Sequence, residues 1–227
     1  MKLTCLLLAV ALAARADERP LNFANDVVPI FTKAGCNAGG CHGKASGQNG
    51  FKLSLLGFEP AEDFEHIVKE ARGRRIFPAA PEQSLLLTKA INSTPHGGGK
   101  KLDPKSEDYA LLIKWITNGM PFGKDTDPKM VSIEVQPKQQ LMTLKSAQQL
   151  KVLAKYSDGY VRDVTRSALY EPNDKSMAET TEGGLVKLFD LPGDVAVMVR
   201  YQGQVAVFRA TAPLGAPVAT LPQSANF

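Results

Sequence analysis

The stretch "GCNAGGCHGK", residues 35–44, places two cysteines and a histidine within seven positions. Close cysteines serve disulfides, zinc sites, redox pairs and haem attachment. In the short C-x-x-C-H form, both thiols add to the porphyrin vinyl groups and the histidine ligates the iron. Here Asn37, Ala38, Gly39 and Gly40 make the gap four residues long. Three of the four are Ala or Gly, so the loop can bulge while Cys36 and Cys41 stay at one haem edge and His42 reaches the iron. A six-coordinate iron needs a second axial ligand. The chain has three histidines, His42, His66 and His96. His66 is offset from the apolar face of its segment and reads as a surface residue. His96 lies in "STPHGGGKKL", where Pro95 stiffens the approach and three glycines let the backbone come close to a flat group. Met120 in "NGMPFG" is the rival ligand and would give a higher potential. The sequence favours His96.

Arg74 and Arg75 in "RGRRIFP" carry forked donors that suit haem propionates, or they decorate a solvated turn. Lys100, Lys101 and Lys105 follow His96 and could attract an acidic redox partner, or form a plain solvated loop. Cys36, Cys41, His42 and His96 could instead hold zinc in a Cys₂His₂ shell, and a Cys36–Cys41 disulfide is a further option. No Ser–His–acid arrangement, HExxH helix or phosphate loop is recognisable.

The redox compartment bears on this choice. "MKLTCLLLAVALAARADERP" has Lys2, an apolar run from Leu3 to Ala14, and a small-x-small site at Ala14-Arg15-Ala16. That pattern predicts a secretory signal over 1–16, too short to span a bilayer and carrying Cys5 away with it. Two cysteines then remain, in a periplasmic or extracellular setting that permits a disulfide. Such a bridge would close only a tiny loop and remove little chain entropy, so chemistry is the better reason for the pair. Removing Lys2 and Arg15 from 27 basic residues leaves 25 against 23 acidic ones. That near balance, with no basic stripe, argues against a nucleic-acid partner. No second long apolar run follows, so no integral membrane segment is expected in the mature chain.

The elements that must position these residues fall into two halves. From Leu21 to about Asp125 the apolar period is helical. Val27, Ile30, Phe31 and Ala34 share one face, with Asn25 as cap and Pro29 in the first turn. Phe64, Ile67, Val68 and Ala71 repeat the pattern, and "PEQSLLLTKAI" is a third short helix. The fourth, "SEDYALLIKWITNG", has Ser106 as cap, acids in its first turn, a Tyr109/Leu112/Ile113/Ile116 face and Gly119 as stop. Four modest helices among Gly- and Pro-rich loops would bury little unless something else fills the middle. After about Met130 the period becomes two: "VSIEVQP", "LKVLAKY", "VRDVT", "GLVKLF", "VAVMVRY" and "QVAVFRA" read as strands, the last two joined by "YQGQ" as a hairpin. Roughly seven strands read as a β-sandwich. "GKDTDPK" is the linker.

"FANDVVPIFTKAGCNAGGCHGKASGQNGFKLSLLGFEP", "RRIFPAAPEQSLLLTKA", "PHGGGKKL" and "YALLIKWITNGMP" together resemble the cytochrome-c-like domain of large secreted planctomycete proteins. The resemblance implies thioether roles for Cys36 and Cys41, His42 as proximal ligand, and His96 where related domains have the methionine of an "MPP" segment. "LKVLAKYSDGYVRDVTRSALYEPNDKSMAETTEGGLVKL" resembles a bacterial immunoglobulin-like domain of group 2. The tail "APLGAPVATLPQSANF" looks like the lead-in to further domains of a longer family protein.

The expected architecture is therefore multidomain: signal peptide 1–16, an all-α cytochrome-c-like haem domain 17–126, an all-β immunoglobulin-like sandwich 127–213, and a tail 214–227. The expected function is that of a secreted monohaem c-type cytochrome with one covalent haem c, passing single electrons to an unidentified redox partner protein. It would not be an enzyme, and the sandwich would act as spacer or docking module. The alternative is a haem-free extracellular interaction protein with a disulfide or zinc site in the first domain. A haem sensor, in which a small ligand displaces His96, is a third reading.

Overall fold

The computed structural model describes residues 19–43 and 45–215. The expected signal segment 1–16 and most of the tail lie outside the described residues.

The first half begins with a wide π-type turn, Phe23–Val27, which runs directly into α1, Val28–Lys33. Asn22, not Asn25, caps this unit: its side-chain oxygen accepts from the Asn25 N–H. Pro29 sits in the first turn of α1, where a missing N–H costs nothing. Three further α-helices follow: α2, Pro60–Phe64; α3, Leu85–Ala90; and α4, Glu107–Thr117. α4 behaves as its sequence requires. The Ser106 hydroxyl accepts from Tyr109 N, Glu107 and Asp108 occupy the first turn, and Gly119 follows with φ +81°.

The expectation of an all-α first domain is overturned. Among the described residues α4, at eleven residues, is the longest helix; α1, α2 and α3 have six, five and six. The described residues are 27% strand and 24% helix of every kind, and the first half is mostly irregular backbone pinned by short turns. The reason is local. Leu56, Ala71, Arg72 and Asn92 adopt φ between 52° and 63°, left-handed conformations that end a helix wherever they occur. The segment expected to continue through Ala71 stops at Lys69 for this reason.

The first half closes an apolar core of its own. Phe23, Val27, Phe31, Leu53, Ile67, Leu87, Leu112, Trp115 and Ile116 are all nearly or completely buried in one cluster. Trp115 is fully buried, and its indole N–H donates to Pro121 O. Phe23 lies 5.3 Å from Phe64 edge-on and 5.5 Å from Trp115.

The second half is a β domain of ten strands in three small sheets around a second core. β1, Met130–Gln136, β4, Lys151–Tyr156, and β5, Val161–Asp163, form one antiparallel sheet. β9, Gly193–Tyr201, and β10, Gln204–Ala212, form the expected hairpin, with Gln202 and Gly203 at φ +46° and +76° in its two-residue turn. β6, Leu169–Pro172, flanks β9, and β2, Gln139–Leu141, lies parallel to β10. The third sheet orders β3, Ala147–Gln149, β8, Leu185–Leu188, and β7, Ala178–Thr180. The two-residue period holds on β9, where Val195, Val197, Val199 and Tyr201 are buried. Four strands of only three or four residues were not anticipated, but the β content fits the expected β domain, whose strands enclose one core.

The two halves are joined by more than a tether. The Arg162 guanidinium donates to Asp26 Oδ1 at 2.7 Å, and Asp26 Oδ2 accepts from Asn22 N at 2.8 Å. Tyr201 donates to Asn25 O, Gln202 donates to Ala24 O, and Asn25 Nδ2 donates to Pro128 O. The linker is itself pinned, since Asp127 accepts from both Asn22 Nδ2 and Lys124 N. Asp26→Ala leaves a half-buried guanidinium without its carboxylate, at an expected cost of about 2 kcal/mol. Urea melts of Asp26→Ala, Arg162→Ala and the double variant check this. The double variant should lose less than the two singles together.

Candidate functional site: two parallel imidazoles beside a pair of free thiols

Cys36 owes its position to the end of α1. Gly35 takes φ +71°, Gly35 N donates to Thr32 O, and Cys36 N donates to Phe31 O at 2.8 Å. These are the paired bonds of a Schellman cap, which place Cys36 directly after the helix stop. The chain then folds back on itself: Cys41 N donates to Ala38 O, Gly43 N to Ala38 O, and His42 N to Cys36 O at 2.9 Å. Asn37 anchors this loop from inside. It is 1% exposed, its amide donates to Thr32 Oγ1, and its carbonyl accepts from Leu56 N. Gly39 and Gly40 keep ordinary negative φ, so the left-handed freedom expected of the gap is not used there. The glycine that matters is Gly43, where an added Cβ would stand 2.0 Å from Asn37 O.

His42 is held by the next turn. Gln48–Phe51 is a tight bridge with Asn49 and Gly50 at φ +50° and +72°, an Asn-Gly signature. It aims the Phe51 carbonyl at His42, whose Nδ1 lies 2.9 Å away. His96 is held the same way by its own turn: Nδ1 lies 2.9 Å from Gly99 O, while Gly99 N donates to His96 O. The loop carrying His96 is tied to α3, because Ala90 O accepts from both Lys101 N and Leu102 N, and Lys89 Nζ donates to Pro95 O. A carbonyl accepts only, so each ring carries a proton on Nδ1, and in the neutral ring the Nε2 lone pair is the free one.

The two rings meet although 54 positions separate them in sequence. Their centroids are 6.4 Å apart and their planes diverge by 5°. His42 and His96 are the residues that would hold a metal between them through Nε2, with metal–nitrogen bonds of about 2.0 Å. On the His96 side, Gly98 leaves the ring edge bare: a Cβ there would lie 3.0 Å from Cε1 and 3.3 Å from Nε2. Burial holds His42 below the ordinary imidazole pKa, and the nearby His96 and Arg75 charges push the same way against the Phe51 carbonyl. A neutral imidazole at neutral pH is the form that ligates.

Cys36 and Cys41 are both free, partly buried thiols, not a disulfide. Burial pushes the Cys36 thiol up to about 11, with Lys101 nearby acting to lower it and Cys41 to raise it. Among the described residues no three His, Cys, Asp or Glu side chains converge as metal ligands, so the four residues do not form a preassembled zinc shell.

The remaining candidates are placed differently. Met120 packs against the first core at φ +56°, its N–H donating to Trp115 O. Arg74 is exposed. Arg75 is 7% exposed, and its guanidinium is engaged by protein oxygens of His66, Glu70 and Gly50. Lys100 pairs with Asp103 at the surface. Sequence reasoning missed the Phe51 and Gly99 carbonyls, because backbone acceptors have no residue signature. The Asn49-Gly50 pair was the available clue to the first. A cleft of about 780 Å³ lies where the two halves meet, lined by Asp26, Tyr156, Arg162 and neighbours but by no cysteine or histidine. Among the described residues no helix is long and apolar enough to cross a membrane.

No family model matches the chain, and no curated protein matches it. Among solved structures it is similar to surface layer protein SbsC, domains 1-6, at 15% identity and a TM-score of 0.35. The match covers 41% of this chain, which spans 14% of that one. A likeness of this size carries neither fold nor function across.

Proposed function

We propose that this chain binds one haem covalently through Cys36 and Cys41, ligates it through His42 and His96, and carries single electrons outside the cytoplasm. The observation that carries the reading is the pair of parallel imidazoles, each fixed with Nε2 free, beside two unbridged thiols. When bound, the group would supply a one-electron ferric/ferrous couple, low-spin under two nitrogen ligands. The chain's own contribution is positional. The Schellman cap presents Cys36, the Cys36–His42 backbone bond fixes the proximal ring beside it, and the turn at Gly99 presents the second ring. Half-exposed Leu55 lies beside Gly39 and offers apolar surface next to the loop. Residues 17–126 would form the haem module and 127–213 the β module. The Asp26–Arg162 contact argues for a firmly docked module, not a loose spacer. Bond-making catalysis forms no part of this reading, and the acceptor would be a separate redox protein or a further domain of a longer chain.

The test is expression with the signal in a host carrying c-type maturation machinery, followed by acid–acetone extraction and a pyridine haemochrome spectrum. Haem retained on the protein with a c-type band is the expected result. Complete extraction, in a planctomycete-derived maturation system as well, would sink the proposal.

A further inference from the structure

Arg75 is buried beneath the turn that supports His42 and, being committed to protein atoms, has little left for a ligand. Its Nη1 donates to His66 O at 2.8 Å and its Nη2 to Gly50 O at 3.2 Å. Nη2 also lies 2.9 Å from a Glu70 carboxylate oxygen, and the guanidinium carbon sits 4.3 Å over the centre of the Phe51 ring. The residue it covers is the one whose carbonyl fixes His42 Nδ1, and the Phe51 and His42 rings are 4.6 Å apart. Five donors in a rigid plane can tie Gly50, His66 and Glu70 while stacking on Phe51; a single ammonium cannot do all of these at once.

We infer that Arg75 is a positioning residue for His42: it clamps the Gly50–Phe51 turn so that the Phe51 carbonyl holds the imidazole in the Nδ1–H form, leaving Nε2 as the nitrogen for ligation. It also places a buried cation on the proximal side, where it favours the reduced state of an electron carrier. This second effect rests on the proposed haem reading; the first does not. The arrangement predicts different failures for Arg75→Lys and Arg75→Gln. Lysine keeps the charge and loses the fork, whereas glutamine loses both.

The experiment has two arms. In the haem-free full chain, long-range proton–nitrogen NMR reads the tautomers of His42 and His96 separately. Both variants should convert His42 from one tautomer to a mixture, while His96, held by Gly99 on another loop, stays unchanged. In the haem-loaded protein, Arg75→Gln should shift the oxidised-to-reduced ratio about tenfold toward oxidised, equivalent to about 59 mV for a one-electron couple, and Arg75→Lys should shift it less. His42 remaining wholly Nδ1–H in both folded variants would overturn the inference. So would His42 and His96 changing together, since that marks general loosening. If wild type takes up no haem, the functional proposal falls, and the NMR arm still decides the role of Arg75.

Discussion

If the chain carries haem as proposed, His96→Ala is expected to leave it covalently attached while the low-spin spectrum gives way to a high-spin one, and added imidazole should restore the low-spin form. On the proposed reading, attachment would depend on Cys36 and Cys41, in a loop that His96 does not build. The His96 loop has its own anchors, the bonds from Lys101 and Leu102 to Ala90 O and from Thr94 N to Thr88 O, so removing one ring should not displace it. His96 is only partly buried and makes one side-chain bond, to Gly99 O. The apoprotein should therefore lose no more than about 1 kcal/mol. The loaded protein should lose considerably more, because an iron–imidazole bond goes with the ring. An unchanged low-spin spectrum would remove His96 from the site and turn attention to Met120. That residue would have to leave the first core, against which it packs, to serve instead.

The chemistry-bearing residues were more legible than the scaffold around them. Cys36, Cys41 and His42 are rare residue types at close spacing, and His96 stood out by its Pro- and Gly-flanked loop. That His42 and His96 face one another across 6.4 Å could not be read from spacing. It follows from two turns whose acceptors are main-chain carbonyls. α4 was legible because cap, acids, apolar face and terminating glycine all agreed. The first half as an all-α domain was not: α1 and α4 stop at glycines, but the segments between them are broken by Leu56, Ala71, Arg72 and Asn92 in left-handed backbone, and none of these is a glycine that would signal it. Its core was also underestimated: Trp115, fully buried between Phe23 and Phe64, does much of the filling that seemed to require a cofactor. Arg74 and Arg75 look equivalent in sequence. One is exposed and the other buried, a difference that depends on which of two adjacent side chains the turn at Gly73 points inward.

Gly43→Ala should be strongly damaging, and Gly40→Ala, three residues away, among the mildest of changes. A Cβ on Gly43 would stand 2.0 Å from Asn37 O, 2.7 Å from Asn37 C and 3.0 Å from Ala38 C. Every one of these atoms is backbone, so no side-chain rotation can relieve the overlap. Asn37 cannot retreat cheaply either, since it is 1% exposed, its carbonyl accepts from Leu56 N, and its amide is bonded to Thr32. The loop must open instead, and the bonds lost are Gly43 N to Ala38 O and then His42 N to Cys36 O. Overpacking and two broken hydrogen bonds together cost about 3 kcal/mol. The second bond is also the one that keeps the proximal ring beside the first thiol, so haem incorporation should fall more steeply than stability. At Gly40 an added Cβ meets nothing within 4 Å, and φ is negative, so alanine should change stability by less than about 0.5 kcal/mol. Urea melts of the two apoproteins, with haem content per chain from the same expressions, separate the possibilities. Equal behaviour of the two variants would mean that the loop between the cysteines is not held as the Asn37 contacts require.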